Sequence, residues 1–195
     1  MEHSEQADAG RHPLVCIRTK TMATSNTASP AIFISYAHKD NKNADPAKRW
    51  LDRLREQLEP LVQQGEIAVC SDQDIDLGDD WHDHIQKHLN GAQAAVLLVS
   101  PAFLASKYIR NSELPVLLRN AGDRGVKIIP IILRPCLFAE SKFKYPDPQA
   151  GPEEFTLASL QAAGSPAKAL SEMTEGEQDR ALLEVAQTLA RLANP

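Results

Sequence analysis

This sequence of 195 residues is short of several things that would announce a function. It has three cysteines, Cys16, Cys70 and Cys136, far apart and with no CxxC pair, which argues against a disulfide framework or a zinc ribbon and makes a reducing cytoplasm the expected compartment. It has no excess of positive charge: 26 acids face 21 Lys and Arg, so a dedicated phosphate-backbone binder, and with it direct nucleic-acid binding, is not expected. No apolar run is long enough to span a bilayer; "AAVLLVS" and "VKIIPIIL" are the longest, and no signal-peptide stretch opens the chain. P-loop, GxGxxG, HExxH and GxSxG motifs are missing, as are internal repeats and heptads. What remains is a soluble globular protein, with no membrane attachment expected, whose chemistry must be sought residue by residue.

From Met1 to Ser29 the chain is polar and aperiodic, ending in "TMATSNTASP"; it reads as a disordered leader, with Met22 as an alternative start. From residue 30 onward a regular pattern begins. "AIFISY" (31–36) suits a buried strand, and Leu51, Leu54, Leu58 and Leu61 mark a helix over 46–64 that Gly65 stops. "EIAVCS" is the second strand, Trp81 to Asn90 a helix, "AAVLLVS" the third strand and "VKIIPIIL" the fourth. Between the third and fourth strands a helix is expected to open at Ser112 as N-cap, which puts Glu113 in its first turn, beside Pro115. Residues 134–171 are rich in Pro, Gly and Ala, and irregular surface structure with one short strand or helical turn is expected there. A last helix over 174–192 starts from a Thr174/Glu177 capping box and buries Leu182, Val185, Ala186, Leu189 and Leu192.

Continuous apolar strands alternating with amphipathic helices predict an α/β fold, a flavodoxin-like doubly wound parallel sheet of about five strands with helices on both faces. Ligands of such sheets bind beyond the carboxyl ends of the strands, where the strand order reverses. That rule nominates "SYAHKDNKN" after the first strand and "SPAFLASKYIRNSE" after the third, so Tyr36, His38 and Asp40 are expected to face Tyr108 and Glu113, with the acidic "SDQDIDLGDDW" as a third wall. A phosphorelay receiver of the same topology would need an aspartate where the third strand ends; Ser100 stands there. Asp80, His84 and His88 could be drawn as a metal site, but a His pair four apart on a polar helix reads as a solvated face, and no metal is expected.

Four pieces in order, "FISYAHKD", "SDQDIDLGDDWHDHI", "AAVLLVSPAFLASKYIRNSEL" and "KIIPIILRPC", resemble a bacterial Toll/interleukin-1 receptor (TIR) domain. Phe33, Ile34, Ser35, Tyr36, His38 and Asp40 match that family's first-strand motif, and Asp72, Ile75, Gly78 and Trp81 its second-loop pattern; Cys70 stands where some relatives carry tryptophan. The resemblance implies a domain that cleaves NAD at the nicotinamide–ribose bond, with Glu113 as the single catalytic glutamate and NAD as substrate rather than cofactor. It further implies homotypic TIR–TIR self-association, an upstream sensor protein and a setting in anti-phage defence. Ser35, Tyr36, His38, Asp40, Asp72, Trp81, Ser106 and Tyr108 are the candidate substrate contacts, Tyr36, Tyr108 and Trp81 as stacking surfaces and Ser35, His38 and Ser106 as polar contacts. Each also has a plain structural role open to it: Trp81 in the core, Ser106 as a turn cap, Asp40 and Asp72 holding loops. The alternatives are a non-enzymatic TIR adaptor acting through TIR–TIR contacts and a nucleoside deoxyribosyltransferase-like enzyme.

Overall fold

The computed structural model describes residues 29–71, 81–145, 154–160 and 168–193, with the side chains of 81–84 outside that description. The leader, Asp72, Ile75, Gly78, Asp80 and the rest of the acidic second loop, and most of "YPDPQAGP", therefore lie outside the described residues.

Strands β1 (Ala31–Tyr36), β2 (Ala68–Ser71), β3 (Ala92–Val99) and β4 (Lys127–Ile132) form one parallel sheet in the order β2-β1-β3-β4. The order reverses direction at β1, so the crevice of the topology lies between β1 and β3, whose register pairs Ser35 with Leu97 and Tyr36 with Leu98. Every pairing in this sheet is parallel and needs a crossover, which is why the strands read as apolar runs covered on both faces.

Helices α1 (His38–Asn41) and α2 (Trp50–Gln63) follow β1, α3 (Trp81–Gly91) leads into β3, α4 (Pro101–Ala105) and α5 (Leu114–Arg124) follow it, and α6 (Glu175–Ala193) closes the chain. Two apolar clusters result. One joins Ile32, Ile34 and Tyr36 of β1 to Leu51, Leu54 and Leu58 of α2 and Leu182, Val185 and Leu189 of α6. The other joins Phe33 and Ala37 to Ile85 and Leu89 of α3, Phe103 of α4 and Leu114 and Leu117 of α5. Alternation along β1 thus decides which helix layer each side chain meets.

Polar side chains fasten the layers. The Asn41 side chain accepts from the Leu51 N–H at 3.1 Å and donates to Asp52 at 2.8 Å, which ties the turn after β1 to the start of α2. Arg53 lies 5.1 Å from the Trp50 ring centroid and donates to Gln178 and Asp179, both at 2.6 Å, joining α2 to α6. Asn120 donates to the Leu89 carbonyl at 3.0 Å, joining α5 to α3. Gly65, at φ +73°, turns the chain out of α2 in the left-handed conformation that side chains resist.

Three expectations change. No helix opens at Ser112: helical backbone starts at Lys107 and runs through a π-helical turn, Ile109–Glu113, straight into α5. Leu192 is 36% exposed rather than part of the buried stripe, which continues from Leu189 to the partly buried Ala193, four residues on, instead. The segment after β4 contains two short strands, β5 (Lys142–Lys144) and β6 (Glu154–Thr156), paired antiparallel apart from the main sheet. Thr174 and Glu177 do meet, with the Thr174 N–H donating to the Glu177 carboxylate at 2.7 Å.

Candidate functional site

The carboxyl edge of the sheet carries two serine–carboxylate pairs. Ser35, the fifth residue of β1, points to the α3–α5 side, as Phe33 does, and its hydroxyl donates to the Glu113 carboxylate. The two residues are 78 apart in sequence, and both are buried, at 1% and 2% exposure. A carboxylate that deep is tolerated when hydrogen bonds replace water, and the seryl hydroxyl is one such donor.

The π-turn aims Glu113. Leu114 N–H closes it on the Ile109 carbonyl, one residue more than an α-turn spans. Pro115 supplies the reason: it has no N–H to give the carbonyl four residues earlier, and its ring would press on that carbonyl, so the backbone widens just before it. The helix starts instead from Ser106, whose hydroxyl accepts the Ile109 N–H at 3.3 Å while its carbonyl accepts the Arg110 N–H at 3.1 Å. Glu113 consequently stands well inside the helix, and a helix-terminus dipole is not what acts on it.

The second pair lies across the sheet. Ser100 follows β3, is fully buried, caps α4 by accepting the Phe103 N–H at 3.0 Å, and donates its own hydroxyl to Asp40. Asp40 is half-buried, and that burial raises its carboxyl above the ordinary range, opposed by the Ser100 hydrogen bond and by the charges of Arg134 and Lys39. It opens onto a groove of about 360 Å³ bounded by Lys39, Trp50, Arg134, Glu175 and Gln178, on the α2–α6 side.

The expected residues therefore separate. Ser35 and Glu113 touch, and Tyr108 packs against the same cluster as Glu113's helix. Tyr36 points the other way: it is buried with Ile32, Ile34 and Trp50, and an exposed His38 stacks on its ring at 5.4 Å between centroids. Asp40 shares that opposite side. Ser106 caps a helix. Trp81 opens α3 with its side chain outside the described residues, where Asp72 also lies. Nothing local in the sequence signals that Ser100 is Asp40's partner, whereas the π-turn has a signal in Pro115. Among the described residues no group of His, Cys, Asp and Glu is arranged to hold a metal ion, and no helix is long and apolar enough to cross a membrane.

Residues 32–163 match the TIR domain family, more than half of the chain. Uncharacterized protein y4lF of Sinorhizobium fredii (strain NBRC 101917 / NGR234) is 36% identical over 114 residues, covering 58% of this chain and 33% of that protein. The chain thus spans about a third of the length of that relative. The TIR domains of the activated Roq1 resistosome directly recognizing the pathogen effector XopQ are similar at a TM-score of 0.43 and 14% identity, over 85% of this chain and 84% of that one.

Proposed function

Because the chain belongs to the TIR domain family, we propose that it is an NAD+ glycohydrolase or cyclase, with Glu113 as its single catalytic carboxylate. The observation that carries this reading is Glu113 itself: a carboxylate 2% exposed, aimed by a π-turn at the carboxyl edge of β1 and held there by the Ser35 hydroxyl. Packing alone does not call for a charge at that position.

One carboxylate suffices for this reaction. A glycosidase needs an acid to protonate a poor leaving group, whereas the nicotinamide of NAD+ is a cationic pyridinium that departs neutral with the electron pair of the C1′–N bond. The ribose is left as an oxocarbenium ion, and an ionised Glu113 opposes that charge while accepting from the ribose hydroxyls. Water then bonds through its oxygen to C1′ and gives up a proton, yielding ADP-ribose; attack by an adenine nitrogen of the same molecule gives a cyclic isomer instead. Ser35 orients the carboxylate in this scheme, and Tyr108, against the same cluster, is the proposed ring contact.

Burial also bears on activation. With Glu113 covered in the single chain, substrate entry requires a rearrangement, and TIR–TIR self-assembly prompted by an upstream sensor is the proposed trigger, in a setting of anti-phage defence. The same burial favours one second reading, a TIR scaffold in which the Ser35–Glu113 contact only locks β1 to its neighbouring helix. Incubating the protein with NAD+, dilute and under crowding, and chromatographing the products for wild type and Glu113→Gln separates them. Nicotinamide release that vanishes in Glu113→Gln supports the enzyme. No nicotinamide from the assembled protein favours the scaffold, full activity in the variant rejects Glu113, and a parallel incubation with deoxynucleosides tests the deoxyribosyltransferase alternative.

A further inference from the structure

The π-turn that carries Glu113 is fastened from outside by Arg110. Its guanidinium donates to the Lys142 carbonyl of β5 at 3.0 Å and lies 4.7 Å from the centroid of the Phe143 ring. Phe143 is buried in the cluster that holds Ile109 and Leu114, the residues at either end of the turn. The β5–β6 pair is firm in its own right, with Phe143 on Phe155 at 5.6 Å and Tyr145 edge-on to Phe155 at 6.2 Å. It is also seated further along the helix, where the Tyr145 hydroxyl would be 3.3 Å from a Cβ placed on Gly122. Arg110 thus ties the turn to a small, separately braced unit.

A turn closed from residue i to i+5 holds one residue more than the α-turns around it, and such an extra residue can shift along a helix unless something fixes it. Pro115 opposes such a shift from within the turn, because α-helical backbone restored before it would press its ring on the carbonyl four residues earlier. Arg110 adds a tie from outside the turn, to β5. A shift by one residue rotates a side chain by roughly 100° about the helix axis, which would take Glu113 off Ser35.

The geometry points to Arg110 as a positioning residue: by tying the π-turn to β5 it fixes the rotation at which Glu113 meets the edge of β1. The inference rests on the glycohydrolase reading for its effect on catalysis, while its effect on the turn is independent of it. Arg110 is partly exposed and is a member of neither apolar cluster, so its replacement removes no core side chain.

The test uses Arg110→Ala, Arg110→Lys and Phe143→Leu in the full chain, with two readouts. The first is hydrogen exchange at the Leu114 amide, the donor that closes the turn on Ile109; exchange is expected to quicken about tenfold in Arg110→Ala and less in Arg110→Lys, which keeps the charge but not the planar stack. The second is turnover of NAD+: kcat is expected to fall about tenfold in Arg110→Ala with KM within about twofold, because binding survives and aim does not. Phe143→Leu should move both readouts in the same direction. Unchanged Leu114 protection in Arg110→Ala overturns the inference, as does a kcat loss that only follows a lowered Tm. If the wild type releases no nicotinamide when assembled, the glycohydrolase reading falls, and Leu114 exchange alone decides on Arg110.

Discussion

Ser35 with Glu113 and Ser100 with Asp40 are both seryl hydroxyls donating to a carboxylate at the carboxyl edge of one sheet, yet they belong to opposite faces of it. The first pair is closed off, 1% and 2% exposed, and joins β1 to a helix reached only after 78 residues. The second is half open, with Arg134 and Lys39 near Asp40 and a groove in front of it. Ser100 has a second structural duty as the cap of α4. The same chemical contact thus has two different settings, and burial rather than hydrogen bonding tells them apart. Water shares the stabilisation of Asp40, while Glu113 depends on the protein.

If that distinction is functional, the largest contrast is in turnover. Glu113→Gln should lower the rate of nicotinamide release by about 10³-fold, the range seen when a charge-stabilising group is removed from a reacting centre, whereas Asp40→Asn should lower it by less than about tenfold. Equal losses from steady-state assays of the two variants would erase the contrast. The next effect is on stability: Ser35→Ala leaves a buried carboxylate short of a donor and should cost about 1–3 kcal/mol in urea unfolding, with Ser35→Thr largely restoring it. Ser100→Ala, which mainly removes a helix cap, should cost about 1 kcal/mol.

The smallest effect is in pH dependence. Asp40's folded carboxyl lies above its ordinary value of 3.8 because of burial. Between that value and the raised one the native state holds more protons than the unfolded state, so this group makes stability fall as pH rises through the window. Asp40→Asn should flatten that part of the stability profile, and urea midpoints measured across the acid range would read it. An unchanged slope would mean that burial does not raise the Asp40 carboxyl, and that water serves Asp40 more fully than its half-burial indicates.

Much of this layout is legible in the residues. The Leu51, Leu54 and Leu58 spacing predicts the buried face of α2, and the apolar strands predict a parallel sheet covered on both sides. The side of the sheet that Tyr36 faces was also legible: within "FISY" the period of two sets Ser35 and Tyr36 on opposite faces, so they cannot both meet Glu113. Ser106 and Ser112 were harder to separate, since either serine could cap a helix, and the choice depends on how the backbone before Pro115 is accommodated rather than on either serine. The β5–β6 pair was beyond reach: "KFK" and "EFT" each offer one apolar residue, and what joins them is a contact between distant segments. Leu192 and Ala193 stand three and four residues after Leu189, and the periodicity alone does not choose between them; Ala193 takes the inner position.

Arg53 and its partners on α6 have a consequence for how the chain is made. Arg53 and Asp179 are 126 residues apart, and the apolar face of α2 is completed by Leu182, Val185 and Leu189. Contacts of such long sequence separation form late, because the loop between them must close first. During synthesis the ribosome releases α2 long before α6, so the part of its cover that Leu182, Val185 and Leu189 supply reaches Leu51, Leu54 and Leu58 only after residues 175–193 have emerged. A pause in translation before the codons for α6 would lengthen that interval, and a chaperone that recognises leucine-rich helices would meet this protein at α2.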